Sequence, residues 1–341
     1  MNNQPAINIS TWTILKIIAI LLGLALLWLV RDVLVLLLVV LVLVAGLNPL
    51  VNYLDKFLPR VISVLLVFLV IIAFWVAAAI LLVPAIITQV DLLIINLPHL
   101  INNILPDGFL DKEYLSQITS SSPDLWKSIY GGLEKIGLNI YATTIGFLSV
   151  VTTIITIGVL SFYLLLEKAA GRHLITIFVP EKWQKITLET LSKISRKIGS
   201  WMLGQVCLCL AVGILALIGM LIFGLPYPLA LAVWAGLTEV IPYIGPWLGG
   251  IPIVLIAFSS GSIWTAIFML IWVIAIQQLE STFLVPKIMG RALGLSPVVV
   301  ILAILIGFKL LGILGVILAL PLAAGLIIVI QEYRQIKKNL S

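Results

Sequence analysis

Residues Leu225 to Ser260 read LPYPLALAVWAGLTEVIPYIGPWLGGIPIVLIAFSS, an apolar segment whose midpoint is interrupted by prolines and glycines. Six of these residues fall within eleven positions: Pro242, Gly245, Pro246, Gly249, Gly250 and Pro252. Proline removes a backbone donor and clashes with the preceding turn, while glycine relaxes the backbone. The segment therefore predicts two half-helices that meet at an unwound hinge.

An unwound backbone at membrane depth needs a protected setting. Each unpaired backbone group in hydrocarbon costs several kcal/mol, so such backbone persists only where it packs inside protein or lines a water-filled cavity. Glu239 lies three residues before Pro242, and a carboxylate near the bilayer centre costs about 2.5 to 3.5 kcal/mol on insertion scales. We therefore predict a polar path at this hinge. The alternative is a short interfacial loop in which Glu239 faces water.

The composition is that of an integral membrane protein. Hydrophobic residues make up 62% of the 341 positions and charged residues 10%, against roughly 45 to 50% and 25% in soluble domains. The net charge of +6 comes from basic residues in short segments beside apolar runs, as in cytoplasmic loops. The partner is therefore expected to be the lipid bilayer, with no nucleic acid.

Several chemical classes find no support in the sequence. Cys207 and Cys209 are two residues apart in one apolar run, so on a helix they point away from each other and predict neither a disulfide nor a metal site. No zinc-protease motif, nucleophile elbow or phosphate-binding loop is found. We therefore expect no catalytic residues, no metal and no cofactor, and an intramembrane enzyme is the least favoured class.

The hydropathy pattern predicts an all-α polytopic bundle. Apolar runs predict six full spans at 12–30, 33–53, 61–90, 140–166, 201–224 and 263–285. The first two runs are parted by Arg31 and Asp32, which predicts a tight helical pair. Two broken hairpins complete the fold: the segment 225–260, and a second segment, 296–330, that is interrupted by Gly307, Lys309, Gly312 and Gly315.

Charge predicts the orientation. The basic segments 54–60, 168–200 and 286–292 and the C-terminal tail are expected in the cytoplasm, with residues 181–199 as an amphipathic helix on the inner face. The net acidic segment 91–140 is then extracytoplasmic, and both termini are cytoplasmic. Parity requires the two hairpins to enter from opposite faces, which is a recurring transporter plan.

The predicted organisation has five parts. They are N-terminal scaffold helices (1–90), the acidic extracytoplasmic segment (91–140), a transmembrane helix (141–167), the basic cytoplasmic helix (168–200) and a transport unit with both hairpins (201–333). The hairpins lie in the last part, so we expect it to move against the N-terminal scaffold. In the sixth span, Gln277, Glu280 and Ser281 are three and four residues apart, which predicts a polar stripe facing the interior.

The residues of the C-terminal half also carry a family resemblance. They are Ile241-Pro242-Tyr243-Ile244-Gly245-Pro246 with Pro252, Gln277 to Glu280 followed by Pro286 and Gly290, Gly294-Leu295 with Pro297, and Gly307, Gly312, Gly315 and Pro321. In this order they resemble the autoinducer-2 exporter (AI-2E) family of bacterial membrane permeases. The resemblance covers most of residues 140–330. Family members often carry Asn where this chain has Ser281.

The resemblance implies a secondary transporter of the bacterial inner membrane, assembled as a homo-oligomer such as a pentamer. It implies export of small polar molecules such as the quorum-sensing signal autoinducer-2, coupled to an H⁺ or Na⁺ gradient. Some relatives resemble sodium or lithium/proton antiporters, which is the first alternative; a passive channel or scaffold is the second. The predicted substrate or ion path comprises Glu239, Pro242, Gly245, Pro246, Gln277, Glu280, Ser281, Gly307, Lys309 and Gly312, with Lys309 as a counter-charge to the glutamates in the antiporter alternative.

Overall fold

A computed structural model describes residues 11–104, 140–167, 175–177, 179–242, 244–259, 263–289 and 295–340. Within these ranges the secondary structure is helical and contains no strand, which confirms the predicted all-α class. The helices are α1 (Thr11–Leu29), α2 (Arg31–Leu54), α3 (Arg60–Ile104), α4 (Ile140–Leu166), α5 (Glu181–Ile222), α6 (Pro228–Thr238), α7 (Gly245–Ser259), α8 (Ile263–Leu279), a π-helical continuation of α8 (Glu280–Met289) and α9 (Pro297–Leu340).

By length and composition, six helices of the described ranges are long and apolar enough to cross a membrane: α1, α2, α3, α5, α8 with its continuation, and α9. The last of these is not straight, because its backbone is non-helical at Gly312. The helix α3 has 45 residues and a length of about 67 Å, so it extends past a hydrocarbon core of about 30 Å. Its last residues, 91–104, are the beginning of the predicted acidic segment. The remainder of that segment, 105–139, lies outside the described residues.

The helix pair predicted at Arg31 and Asp32 is not formed. The amide of Val30 donates to the carbonyl of Leu26, and the amide of Leu34 donates to the carbonyl of Val30, both at 3.0 Å. These bonds continue the α-helical ladder on both sides of Val30 and leave no room for a reversal. Arg31 and Asp32 are accommodated because they pair with each other at the surface, so their charges do not require a turn.

The helix α5 joins two segments that the sequence separated at residue 200. It runs for 42 residues, about 63 Å, and includes both the basic segment 181–199 and the fifth apolar span. Residues 181–199 therefore extend the span instead of forming a separate surface helix. Their apolar side has a protein partner: Ile198 packs with Ala45 of α2 and Leu318 of α9. We call the Glu181 end of α5 its basic end.

The first broken segment forms an antiparallel helical hairpin, as predicted. Helices α6 and α7 have 11 and 15 residues, about 16 and 22 Å, so neither crosses a core of about 30 Å alone. The indole N–H of Trp234 on α6 donates to the carbonyl of Leu248 on α7 at 2.9 Å. Gly249 packs against Ala235, where a Cβ would approach the Ala235 Cα to 3.0 Å.

The second broken segment is a hairpin within α9. Gly312 has φ 61° and ψ −139°, a conformation that L side chains strongly disfavour. The backbones of Gly307 and Gly315 are in direct contact, although eight residues of straight helix would place them about 12 Å apart. The chain therefore reverses at Gly312, as the glycine pattern predicts.

Two further contacts hold the bundle together. Gly199 of α5 packs against Pro49 of α2, and Gly46 of α2 packs against Met202 of α5. The helices α2 and α5 therefore pack closely. At the loop between α2 and α3, the guanidinium of Arg60 donates to the carbonyl of Leu165 at 2.7 Å and ties the end of α4 to α2 and α3. The helix ends are thereby fixed, and the hairpin α6–α7 packs against α5 and α8.

Candidate functional site

The tip of the first hairpin places a carboxyl group inside the protein. Glu239 follows the last residue of α6, and only 2% of its surface is exposed. The chain turns back at once because Gly245 lies against the backbone of Thr238, a position that no side chain could occupy. Pro242 and Pro246 stand on either side of this glycine. The three tip residues therefore build the turn that presents Glu239.

Gln205 of α5 holds the tip in place. Its side-chain amide donates to the backbone carbonyl of Glu239 at 2.7 Å, and 7% of Gln205 is exposed. This carbonyl belongs to the last turn of a helix, where no intrahelical donor is available. Gln205 is absent from the predicted path, although a sequence signal existed: it is the only amide side chain in the apolar run 201–224.

The second carboxyl group comes from α8. Glu280 lies where the α-helix passes into the π-helical continuation, and the amide of Gln277 donates to its Oε2 at 3.2 Å. The carboxyl groups of Glu239 and Glu280 are neighbours that interact electrostatically. We call these two residues the carboxyl pair. π-Helical turns occur frequently at functional sites.

The carboxyl pair lies within the thickness of a membrane. The distance along each helix follows from a rise of about 1.5 Å per residue. It is about 21 Å along α7 from Ser259 to Gly245. It is about 26 Å both along α8 from Ile263 to Glu280 and along α5 from Ile222 to Gln205. The three helices thus bring their polar residues to a similar depth. That depth is less than a hydrocarbon core of about 30 Å.

A small cavity adjoins the site. It has a volume of about 20 Å³ and lies between α5, both arms of the hairpin and α8. Its wall is apolar except for the amide of Gln277, and Gly249 and Gly250 form part of its floor. A cavity of this size holds about one water molecule.

Other predicted path residues lie elsewhere. Ser281 is exposed, and its hydroxyl donates to the carbonyl of Gln278 at 3.3 Å. The predicted interior stripe therefore holds for Gln277 and Glu280, which are half-buried, but is wrong for Ser281. The reason is that successive residues on a helix are about 100° apart, so a face centred on Gln277 and Glu280 leaves Ser281 at its edge.

The second hairpin does not contribute to the carboxyl pair in this structure. Gly307, Lys309 and Gly312 form its tip, and α9 packs against α5 and α2. The side chain of Lys309 is exposed and makes no ion pair within the described part of the chain. The structure therefore brings Glu239, Gln277 and Glu280 together, and leaves Lys309 apart from them.

A polytopic helical bundle with a broken hairpin and a buried carboxyl group at its tip is typical of membrane transport proteins. The chain matches the model of the AI-2E family transporters over residues 17–335. It therefore belongs to the AI-2E family, as the residue pattern of the C-terminal half predicts.

Relatives of the chain support this assignment. It is 32% identical over 287 residues to YueF, a candidate transport protein of Bacillus subtilis strain 168, with 81% of this chain and 78% of YueF covered. It is 39% identical over 171 residues to YrrI of the same organism, with 50% and 48% covered. The candidate transport protein sll0063 of Synechocystis is 28% identical over 282 residues, with 77% and 68% covered.

Proposed function

We propose that this protein is a secondary transporter in which the carboxyl pair binds the coupling H⁺ or Na⁺ while a small polar molecule is exported. The observation that carries the proposal is the burial of Glu239 beside Glu280 at membrane depth. Neither carboxyl group has a cationic partner among the described residues. Buried charge in a membrane is expensive and typically marks an ion or substrate path.

The geometry suits reversible cation binding. Two adjacent carboxylates repel each other strongly in a medium of low dielectric constant, and a proton or a monovalent cation between them removes this repulsion. Gln205 fixes Glu239 through the backbone, whereas Gln277 contacts Glu280 through the side chain. A change at the carboxyl pair can therefore be transmitted to the hairpin on one side and to α8 on the other.

The proposed mechanism is alternating access to the carboxyl pair. In the proposal, residues 201–333 move against the scaffold of residues 1–90, and the hairpin tips expose the site to each face in turn. The interface between α2 and α5, where Gly46 meets Met202, is where the units slide. The protein acts as a homo-oligomer in the bacterial inner membrane with both termini in the cytoplasm, and autoinducer-2 is the model substrate.

Cation/proton antiport is the second candidate, and the chemistry of the site favours it. Two neighbouring acidic groups without a cationic partner among the described residues suit a proton or a monovalent cation, and the cavity beside Gln277 has room for about one water molecule. In this reading the carboxyl pair exchanges Na⁺ or Li⁺ for H⁺, and no organic solute is carried.

Flux measurements in proteoliposomes test both candidates. The purified protein is reconstituted, H⁺ or Na⁺ gradients are imposed, and the fluxes of ²²Na⁺ and of labelled small polar solutes are recorded. Glu239→Gln and Glu280→Gln are compared with Glu189→Gln, a control at an exposed carboxylate on the basic end of α5. We expect both site variants to lose coupled flux and the control to keep it.

The outcomes separate the possibilities. Gradient-driven solute flux supports export, and ²²Na⁺ flux without solute flux supports antiport. Solute flux that ignores both gradients would identify a passive channel. Normal coupled flux in both site variants would remove the carboxyl pair from the mechanism.

A further inference from the structure

Three buried side-chain polar atoms in the described part of the chain have no hydrogen-bond partner: Ser161 Oγ, Trp201 Nε1 and Glu239 Oε2. Leaving such a group unpaired is costly, so each calls for an explanation. Ser161 lies on α4, whose packing partners are α2 and α3. Trp201 and Glu239 are different, because the first is a donor, the second can accept, and both belong to the region of the carboxyl pair.

The position of Trp201 follows from the helical register. Trp201 and Gln205 are four residues apart and therefore lie on the same face of α5. Gln205 donates to the Glu239 carbonyl, so Trp201 is one turn from that contact, towards the basic end. Long helical side chains lean towards the helix N-terminus. The indole is thus placed between the carboxyl pair and the basic end.

The depth of Trp201 brings it close to water. Counting from Ile222 to Trp201 along α5 gives about 32 Å, the far edge of a hydrocarbon core of about 30 Å. Tryptophan at this depth commonly belongs to the interfacial aromatic belt, where it faces the headgroups. Trp201 does not, because only 2% of its surface is exposed. Its N–H points into protein at the level where bulk water begins.

The neighbouring element covers this region. Between Trp201 and Gln205, Gly204 faces the π-helical continuation of α8, and a Cβ there would lie 3.5 Å from Met289 Cγ and 3.7 Å from the Ile288 carbonyl oxygen. This continuation begins at Glu280. The strip between α5 and the π-helical segment therefore leads from the carboxyl pair to the basic end.

We propose that this strip is a water-filled access path to the carboxyl pair, in which the Trp201 indole N–H and Glu239 Oε2 each bind a water molecule. Water is the ligand that fits both orphaned groups, because it accepts from the indole and donates to the carboxyl oxygen. The proposal deepens the proposed function, since it assigns the face from which the coupling cation or proton reaches the site. The proposal also makes Trp201 a water-binding residue, although Trp201 is absent from the path predicted from the sequence.

The native thiol beside the carboxyl pair allows a direct test. Cys209 is half-buried and interacts with Gln205, Glu239 and Glu280, whereas Cys207 is exposed on another face of α5. In a Cys207→Ser protein, Ag⁺, a thiol-binding cation close to Na⁺ in size, is added to vesicles of either orientation. We expect Cys209 to react about tenfold faster when the basic end faces the reagent, because a buried thiol reacts only from the side on which water reaches it.

Radiolytic hydroxyl labelling provides the second measurement. Radicals formed from water modify side chains that contact it, so Trp201 should be labelled faster than Trp272. Trp272 is the matched control, since its indole donates to the Leu215 carbonyl at 3.0 Å and already has its partner. Trp272 is also the less buried of the two, so burial alone predicts the opposite order.

Each result decides the matter. Cys209 reaction at equal rates from both faces, faster reaction from the opposite face, or no reaction at all would overturn the access path. Slower labelling of Trp201 than of Trp272 would overturn its role as a water-binding residue. Neither measurement depends on coupled flux. A result that refutes the access path is therefore distinguishable from flux in Glu239→Gln and Glu280→Gln that refutes the proposed function.

Discussion

Replacing Gln205 with leucine removes the contact that holds the tip of the first hairpin. Leucine has a similar volume but no donor, so the backbone carbonyl of Glu239 loses the partner that lies at 2.7 Å in the structure. An unsatisfied buried acceptor costs about 1 to 3 kcal/mol. The free energy for opening the tip should fall by this amount, which raises the open population about 5- to 150-fold.

Hydrogen–deuterium exchange with mass spectrometry measures this change. Exchange through local opening reports the free energy of that opening, so peptides covering residues 238–245 should exchange about 5- to 150-fold faster in Gln205→Leu. The matched control is Gln331→Leu on α9, whose side chain is exposed; it should leave the tip unchanged.

The protection of other helices provides the internal standard. Peptides from α2 should exchange as in the unmodified protein, because their contacts do not involve Gln205. Exchange at 238–245 that stays within about twofold of the unmodified protein, with Gln205→Leu correctly assembled, would refute the reasoning. It would mean that the hairpin tip is held by packing and not by this hydrogen bond.

Three further predictions concern the hairpins and the topology. Gly312→Ala should lower the free energy of unfolding by about 1 to 3 kcal/mol. Backbone strain is the only cause, because no atom lies within 4 Å of the added Cβ; an unchanged melting temperature in detergent would contradict the positive φ. Cysteines are placed at Gly46 and Met202, because a Cβ at position 46 would contact the side chain at position 202. Their disulfide should stop transport, and its reduction should restore transport; persistent flux with the cross-link complete would rule out sliding between α2 and α5. Single cysteines at Ser192 and at Ser121, which lies outside the described residues, should label from opposite faces of the membrane; labelling of both from the same face would overturn the predicted topology.

The local features of the fold could be predicted from the sequence. Hydropathy and helix-breaking residues act over a few neighbouring positions, so the existence of both breaks follows from the residues alone. The same holds for Glu239 and Glu280, because a carboxylate in an apolar run is visible without any contact information. The first break is shorter than the proline and glycine pattern predicts, because α6 ends at Thr238 and α7 already begins at Gly245, with Gly249, Gly250 and Pro252 inside the helix. Where the signal was ambiguous, as at Arg31 and Asp32, the prediction of a turn was wrong, since two adjacent opposite charges can pair on a continuous helix.

The composition of the site depended on tertiary structure. The carboxyl pair forms because the hairpin tip and α8 reach the same depth, and Gln205 contacts the tip because α5 packs against the hairpin. These contacts link residues 34 or more positions apart, and no local pattern encodes them. The outward position of Ser281 was equally open, because Glu280 and Ser281 point about 100° apart on a helix and packing decides which of them is covered. The amino-acid sequence by itself determined which groups must be shielded from lipid, whereas packing decided which of those groups meet.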